Sequence, residues 1–337
     1  MSDSLLSVRD VRVSFEIGGL LSQALGRPTE IDGVAGVSFD IAKGETFALV
    51  GESGSGKTTL ARAINGLLRC AEGEIIFDGK KLNGLSTRAM KPVRRQMAMM
   101  FQDPVGSLSP RLTVGQLIAE PFRIHEMTDR DLGAETKRLL ALVGLSADFA
   151  DRYPHQLSGG QARRVGVARA IALDPALIVA DEPTAGLDVS VQGEILNLLN
   201  DLRDRLGLSL LIITHNLHVV RQVADRMAVM YLGRFVELGG SEAIFTAPRH
   251  PYTKALLSAN PEPDPDRIID RIALPAEVPS LLARPPGCEF HTRCPWAEAR
   301  CRTEVPLPAP DDPHRTACHF PLSPGARPPR REETTDA

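Results

Sequence analysis

The stretch FALVGESGSGKTTLARAING at 47–66 constrains the fold more than anything else in this chain. A short apolar run passes through a glycine-rich loop into a segment with Leu60, Ile64 and Leu67 at helical spacing, which reads as strand, loop, helix. The loop matches G-x-x-x-x-G-K-[ST] from Gly51 to Thr58. Gly51, Gly54 and Gly56 let backbone N–H groups converge on phosphate oxygens at a helix N-terminus. Lys57 adds a point charge, and Thr58 offers a hydroxyl to Mg²⁺. A glycine-rich turn with an exposed lysine is the plain alternative, and the flanking strand and helix argue against it.

ALIVADEP at 176–183 is an apolar run of the kind a parallel strand buried on both faces requires, and it ends in Asp181 and Glu182. Ligands of open α/β sheets bind at such strand ends. Asp181 is therefore a candidate partner of Mg²⁺, and Glu182 a candidate to orient or deprotonate a water. A third strand, LSLLIIT at 208–214, runs into His215 at the same kind of position. Between these lies LSGGQARRVGVARAIAL at 157–173, a helix start with Ser158 as cap and two glycines that leave N–H groups open to an anion. Val165, Ala168, Ile171 and Ala172 mark its buried face.

With these motifs the chain resembles the ATP-binding subunits of ABC transporters over roughly residues 5 to 250. The resemblance implies an α/β fold: a P-loop NTPase core of the ABC ATPase type, with a helical subdomain at about 105–157 and a small cysteine-containing C-terminal extension. In family terms GESGSGKT is the Walker A loop, FQDP carries the Q-loop Gln102, LIVADE is the Walker B strand, AGLD with Asp188 is the D-loop, and His215 is the switch histidine. Gly51, Glu52, Ser53, Gly54, Ser55, Gly56, Lys57, Thr58 and Thr59 would then hold ATP, with Mg²⁺ on Thr58, Gln102 and Asp181. Glu182 would be the catalytic base, and Lys57 and His215 would act at the γ-phosphate. Two subunits would pair head to tail, so that Ser158, Gly159, Gly160 and Gln161 complete the partner's site. Phe15 would stack on adenine or, alternatively, be a buried strand residue. TDRDLGAETKRLLALVGL reads as a helix capped by Thr128, and 190–206 as a helix with Ile195, Leu198, Leu199 and Leu202 on one side and Gly207 at its end.

MMFQDPVGSLSPRLTVGQLIAEP, YPHQLSGGQ and RHPYTKALLSANP are similar to the ATPases of oligopeptide and dipeptide importers. That branch implies a second, different ATPase chain, two membrane permease chains and an external solute-binding protein. It also serves nickel, glutathione and other small solutes. A soluble ABC ATPase of DNA repair or translation is the opposing class. The chain has one Walker A loop, no sustained heptads and nearly balanced charge, 39 Lys plus Arg against 42 Asp plus Glu, so no nucleic-acid partner is expected. It has no apolar run of the ~20 residues that span a bilayer and no secretion signal at MSDSLLSVRD, so a soluble chain in the cytosol is expected, and the resemblance implies a peripheral subunit at the cytoplasmic face of the membrane.

Cys70 stands alone, whereas Cys288, Cys294, Cys301 and Cys318 fall within a proline-rich segment at 251–322. A domain boundary is expected near residue 250, and a disordered tail at 323–337. The spacing C-x5-C-x6-C-x16-C fits neither short zinc pairs nor common ferredoxin runs. A [4Fe–4S] cluster, as in some similar importer ATPases, Zn²⁺ with help from His291, His314 or His319, and metal-free cysteines all stay open. A metal there would staple a segment with little to bury, and a regulatory role for that segment is a further reading.

Overall fold

The computed structural model describes residues 4–17, 30–103, 106–127, 129–259, 271–274, 277–309 and 311–328. Long strands β1 (Ser4–Glu16) and β2 (Glu30–Ala42) precede β3 (Thr46–Val50) and helix α1 (Lys57–Ile64). Next come β4 (Glu72–Phe77), β5 (Lys80–Lys81), α2 (Thr87–Gln96) and β6 (Met97–Met100). Helices α3 (Val114–Ile124), α4 (Leu132–Leu142) and α5 (Gly159–Ile171) lead to β7 (Leu177–Asp181), α6 (Val189–Leu206), β8 (Ser209–Thr214) and α7 (Leu217–Val223). The chain closes with β9 (Arg226–Tyr231), β10 (Arg234–Gly240), α8 (Ser241–Thr246), α9 (Pro251–Ala259) and β11 (Arg315–Thr316).

Among the described residues the strands form an antiparallel sheet β2-β1-β4-β5 and a larger sheet β11-β10-β9-β3-β8-β7-β6. In the larger sheet β9, β3, β8, β7 and β6 run parallel, and β10 and β11 add antiparallel. The apolar runs are explained by burial on both faces. Leu177 and Val179 of β7 pack toward the antiparallel sheet and α1, while Ile178 and Ala180 pack with the helices α3 to α6. The parallel arrangement aligns the C-terminal ends of β3, β7 and β8, so the loop after Val50, the carboxylates at 181–182 and His215 share one edge.

Local chemistry sets the helix ends. Asp188 caps α6 by accepting the Val191 N–H at 2.9 Å, and Gly207 ends it at φ 65°, the left-handed conformation that favours glycine. The helix starts one residue earlier than expected; Ile195, Leu199 and Leu202 are buried, joined by Leu196, while Leu198 is only partly covered. The helix after TDRD is capped by Asp131, whose carboxylate takes the Gly133 and Ala134 N–H groups; the expected cap, Thr128, lies outside the described residues. Helix α1 stops at Ile64, so Leu67 is exposed and does not extend the buried face. The stretch 105–157 carries α3, α4 and two 3₁₀ turns, Ala147–Asp151 and Pro154–Gln156.

Packing continues across residue 250. Tyr252 and Phe290 are buried with Tyr231 and Val50 in a third apolar cluster, and β11 pairs with β10 through Glu237↔Thr316 and Leu238↔Arg315. Glu237, fully enclosed, accepts the Arg249 and His250 N–H groups at 2.7 and 3.0 Å and meets His314 Nε2 at 2.6 Å. The proline-rich segment thus borrows the core of the larger sheet in place of a core of its own. Of the expected tail, residues beyond 328 lie outside the described residues.

Candidate functional site

The loop between β3 and α1 is shaped by glycines that nothing else could replace. A Cβ on Gly51, at φ 154°, would lie 2.2 Å from Met230 O; one on Gly56, at φ 105°, would lie 2.2 Å from Gly33 O. The loop borders a cleft of about 610 Å³, within the range of small-molecule sites. Glu52, Ser53, Gly54, Gly56, Lys57, Thr58 and Thr59 line it, together with Phe15, Gln102, Asp181, Glu182 and His215. Elements separated by more than a hundred residues are thereby brought to one place.

Lys57 is buried, and its ammonium donates to Gly51 O at 2.8 Å, Glu52 O at 2.9 Å and Ser55 Oγ at 3.3 Å. Burial lowers its pKa, against the pull of Glu182, Asp181 and Glu52. Thr58 Oγ1 donates to Asp181 Oδ1 at 3.3 Å. Burial raises the Asp181 pKa; the Thr58 bond opposes this and the Glu182 charge adds to it. A carboxylate and a hydroxyl side by side at the cleft are hard oxygen donors, the set that suits Mg²⁺.

Glu182 is 8% exposed and adopts φ 50°, which is uncommon for a residue with a side chain. It is held there from all sides. Its N–H donates to Ile213 O at 2.8 Å, Oε1 lies 2.7 Å from His215 Nδ1 and accepts the His215 N–H at 3.2 Å, and Oε2 accepts Thr214 Oγ1 at 3.2 Å. The His215 side chain is 69% exposed and opens to the cleft. A buried carboxylate tied to a solvent-facing imidazole can hold and orient a water at the cleft floor.

Phe15 is 37% exposed at the end of β1 and lines the cleft, so the buried-strand alternative does not hold. Gly51 and Ser55 shape the loop from behind and do not line the cleft. Ser158, Gly159, Gly160, Gln161 and Asp188 are not brought to it within one chain. Ser158 Oγ accepts the Gln161 N–H at 3.3 Å while Gln161 Oε1 accepts the Ser158 N–H at 3.0 Å, a reciprocal cap that leaves the start of α5 facing solvent. The expected buried face of α5 is present, with Val165, Ala168, Ile171 and Ala172 all enclosed.

Several contributors were missed by sequence reasoning. Thr214, a polar residue ending an apolar strand just before His215, carried a readable signal. Arg163, 1% exposed, donates to Gln102 O at 3.3 Å and Ala185 O at 2.9 Å; a basic residue inside the LSGGQ helix was the only hint. Ile31, Gly33 and Leu281 also line the cleft, and no local pattern announces them.

Cys288, Cys294, Cys301 and Cys318 surround one small cavity with His291, His319 and Trp296, and all are free thiols. Burial and neighbouring thiols push Cys294 up to about 12 and Cys318 to about 11. Among the described residues no three His, Cys, Asp or Glu side chains are arranged to hold a single metal ion. His314 is turned away to Glu237, His319 Nε2 lies 2.9 Å from Glu304 O, and His291 Nδ1 lies 2.8 Å from Cys288 O. Of the three histidines expected as zinc ligands, His314 is drawn to Glu237, whereas His291 and His319 stay at the cavity with one ring nitrogen each on a backbone carbonyl. Cys70 stands apart, packed against the first core cluster.

Comparison with known proteins shows the family. Residues 34–185 match the ABC transporter family model, and residues 236–301 match the oligopeptide/dipeptide transporter C-terminal region. The oligopeptide transport ATP-binding protein AppF of Bacillus subtilis is 45% identical over 94% of this chain and 98% of its own. The oligopeptide transport ATP-binding protein OppF of Escherichia coli is 43% identical over 93% and 95%. A solved dimer of the ATP-binding cassette MJ0796, in a post-hydrolysis state with ADP and Pi, superposes with a TM-score of 0.62 at 29% identity, covering 70% of this chain and 98% of that one. Among the described residues no helix is long and apolar enough to cross a membrane. The chain belongs to the ABC transporter ATP-binding proteins of the oligopeptide and dipeptide type.

Proposed function

We propose that this chain hydrolyses ATP to drive uptake of oligopeptides or dipeptides, paired with a second, different ATPase chain on two permease subunits at the cytoplasmic face of the membrane. An external solute-binding protein would deliver the cargo, and nickel or glutathione is the alternative cargo class. The observation that carries the reading is the cleft lined by Lys57, Thr58, Asp181, Glu182 and His215.

In this reading Phe15 stacks on the base, and the loop N–H groups with Lys57 hold the phosphates. Thr58, Asp181 and Gln102 would hold Mg²⁺, which when bound offsets phosphate charge. Glu182, oriented by His215 and Thr214, accepts the proton of the attacking water as it adds to the γ-phosphorus and the bond to ADP breaks. Ser158, Gly159 and Asp188, exposed, and Gly160 and Gln161, half-buried, all lie away from their own chain's cleft and suit a head-to-tail partner. A second groove of about 290 Å³, lined by Met99, Phe101, Ile124, Arg163 and Arg169, suits a permease helix. Arg163 ties that groove to Gln102, so docking and nucleotide state share one contact.

The division near residue 250 is proposed as one of function, since packing continues across it. For the cysteines we favour a [4Fe–4S] cluster, because the resemblance to importer ATPases that carry one is joined by four thiols lining one cavity, while no three side chains among the described residues stand arranged around a single ion. Anaerobically purified protein should then be brown with about four iron per chain. Colourless protein with stoichiometric zinc would overturn the cluster. The transport reading is tested by reconstituting the chain with its membrane partners in vesicles and measuring ATP-dependent peptide uptake. An ATPase that needs no membrane partner and responds to nucleic acid would refute it.

A further inference from the structure

The segment that carries the cysteines reaches the phosphate loop. Arg293, next to Cys294, donates Nη1 to Glu52 Oε2 at 2.8 Å and Nη2 to Glu52 Oε1 at 3.1 Å. This is the two-pronged pairing in which a planar guanidinium fixes the orientation of a carboxylate as well as its position. The Arg293 side chain is 7% exposed, its guanidinium lies 5.9 Å from the Tyr231 ring centroid, and its backbone N–H donates to Phe290 O at 3.0 Å. Phe290 in turn packs at 5.4 Å from both Tyr231 and Tyr252. The arm is therefore immobilised before it meets Glu52.

Glu52 is held at every polar group. Tyr252 Oη accepts its N–H at 3.0 Å, Lys57 Nζ donates to its carbonyl at 2.9 Å, and Arg293 takes the carboxylate. Lys57 Nζ spends its three hydrogens on Gly51 O, Glu52 O and Ser55 Oγ, so donating to a phosphate means giving up at least one of these contacts. Where the Glu52 contact is the one given up, the loop keeps one internal tie to Glu52, the Ser55 N–H on its carbonyl at 3.2 Å, while its amide and carboxylate are held from outside the loop by Tyr252 and Arg293, both from beyond residue 250. A loop already fixed in its bound shape gives up less entropy on binding. Leu281, from the same segment, lines the cleft beside Phe15 and Ile31, and its turn is anchored where Arg284 donates to Asp32 O at 2.6 Å and Leu232 O at 2.7 Å.

We propose that Arg293 is a positioning residue for ATP: by fixing Glu52 it keeps the phosphate loop in its phosphate-accepting shape, so the C-terminal segment sets nucleotide affinity within the same chain. This rests on reading residues 51–59 as the loop that binds ATP. If the ion pair only fastened the segment to the core, its loss would lower thermal stability without changing the KM for ATP. The test is steady-state ATP hydrolysis by the full-length chain assembled with its transporter partners, with melting temperature followed alongside.

Arg293→Met keeps a stem over Tyr231 and removes the charge. It should raise the KM for ATP about tenfold, the cost of ordering about one backbone residue, with kcat held within about twofold. Glu52→Gln should raise the KM for ATP by a similar factor, the double variant should raise it no further than either single one, and Arg293→Lys should fall between. Should Arg293→Met not fold, Arg293→Lys and Glu52→Gln carry the same KM test. Unchanged KM in folded variants, or independent effects that add, would overturn the role of Arg293. Lys57→Ala separates the two readings: if it too leaves KM unchanged, the phosphate loop itself is misassigned.

Discussion

Glu182→Gln tests the chemistry with the least disturbance to structure. The carboxylate accepts His215 Nδ1 and N–H on Oε1, at 2.7 and 3.2 Å, and Thr214 Oγ1 on Oε2 at 3.2 Å. A glutamine carbonyl in the Oε1 position keeps both His215 contacts. Its amide then faces the Thr214 hydroxyl, which also accepts the Asn216 N–H at 3.0 Å and can turn to accept the amide. Stability should change by no more than about 1 kcal/mol, the net worth of one rearranged hydrogen bond. What disappears is the ability to take a proton from water, worth about 10²- to 10⁴-fold. Single-turnover hydrolysis should therefore slow by that factor while ATP affinity is kept, and the ATP-bound protein should accumulate as a closed dimer in size-exclusion chromatography. Turnover within tenfold of the unaltered protein, in a variant that melts normally, would refute the assignment of Glu182 as base.

Lys57→Ala removes a charged donor from the phosphates, so affinity for MgATP should fall by about 1.5–3 kcal/mol, roughly 10- to 150-fold, as read by calorimetry. Phe290→Ala empties a site packed against Tyr231, Tyr252 and His250 and should cost about 3–5 kcal/mol in denaturant unfolding, with the C-terminal segment becoming protease-sensitive. Burial lowers the His250 pKa to about 4, against the pull of Glu237, and its Nδ1 accepts the Tyr252 N–H, which only the neutral ring can do. Between pH 6.5 and 4 the unfolded chain binds the extra proton, so stability should decrease as pH falls through that window and be fully present above it. His250→Gln should flatten that part of the pH profile.

The sequence by itself determined the phosphate loop, the two carboxylates, the strand-end histidine and the helix that starts at Ser158. Each depends on a local rule: glycine where the backbone must adopt unusual angles or approach another chain segment, an unbroken apolar run where a strand is buried on both faces, a hydroxyl where a helix begins. The helix at 189–206 was legible for the same reason, while the cap at Asp131 was not separable from Thr128, since both residue types are favoured at helix starts. Only the tertiary structure decided what meets across long chain separations. The Arg293–Glu52 pair joins residues 241 apart, and Leu281 enters the cleft after the chain has crossed both sheets. Such contacts leave no periodic trace, because they arise from how the sheets and the C-terminal segment pack together and not from any preference of the residues for their neighbours in the chain.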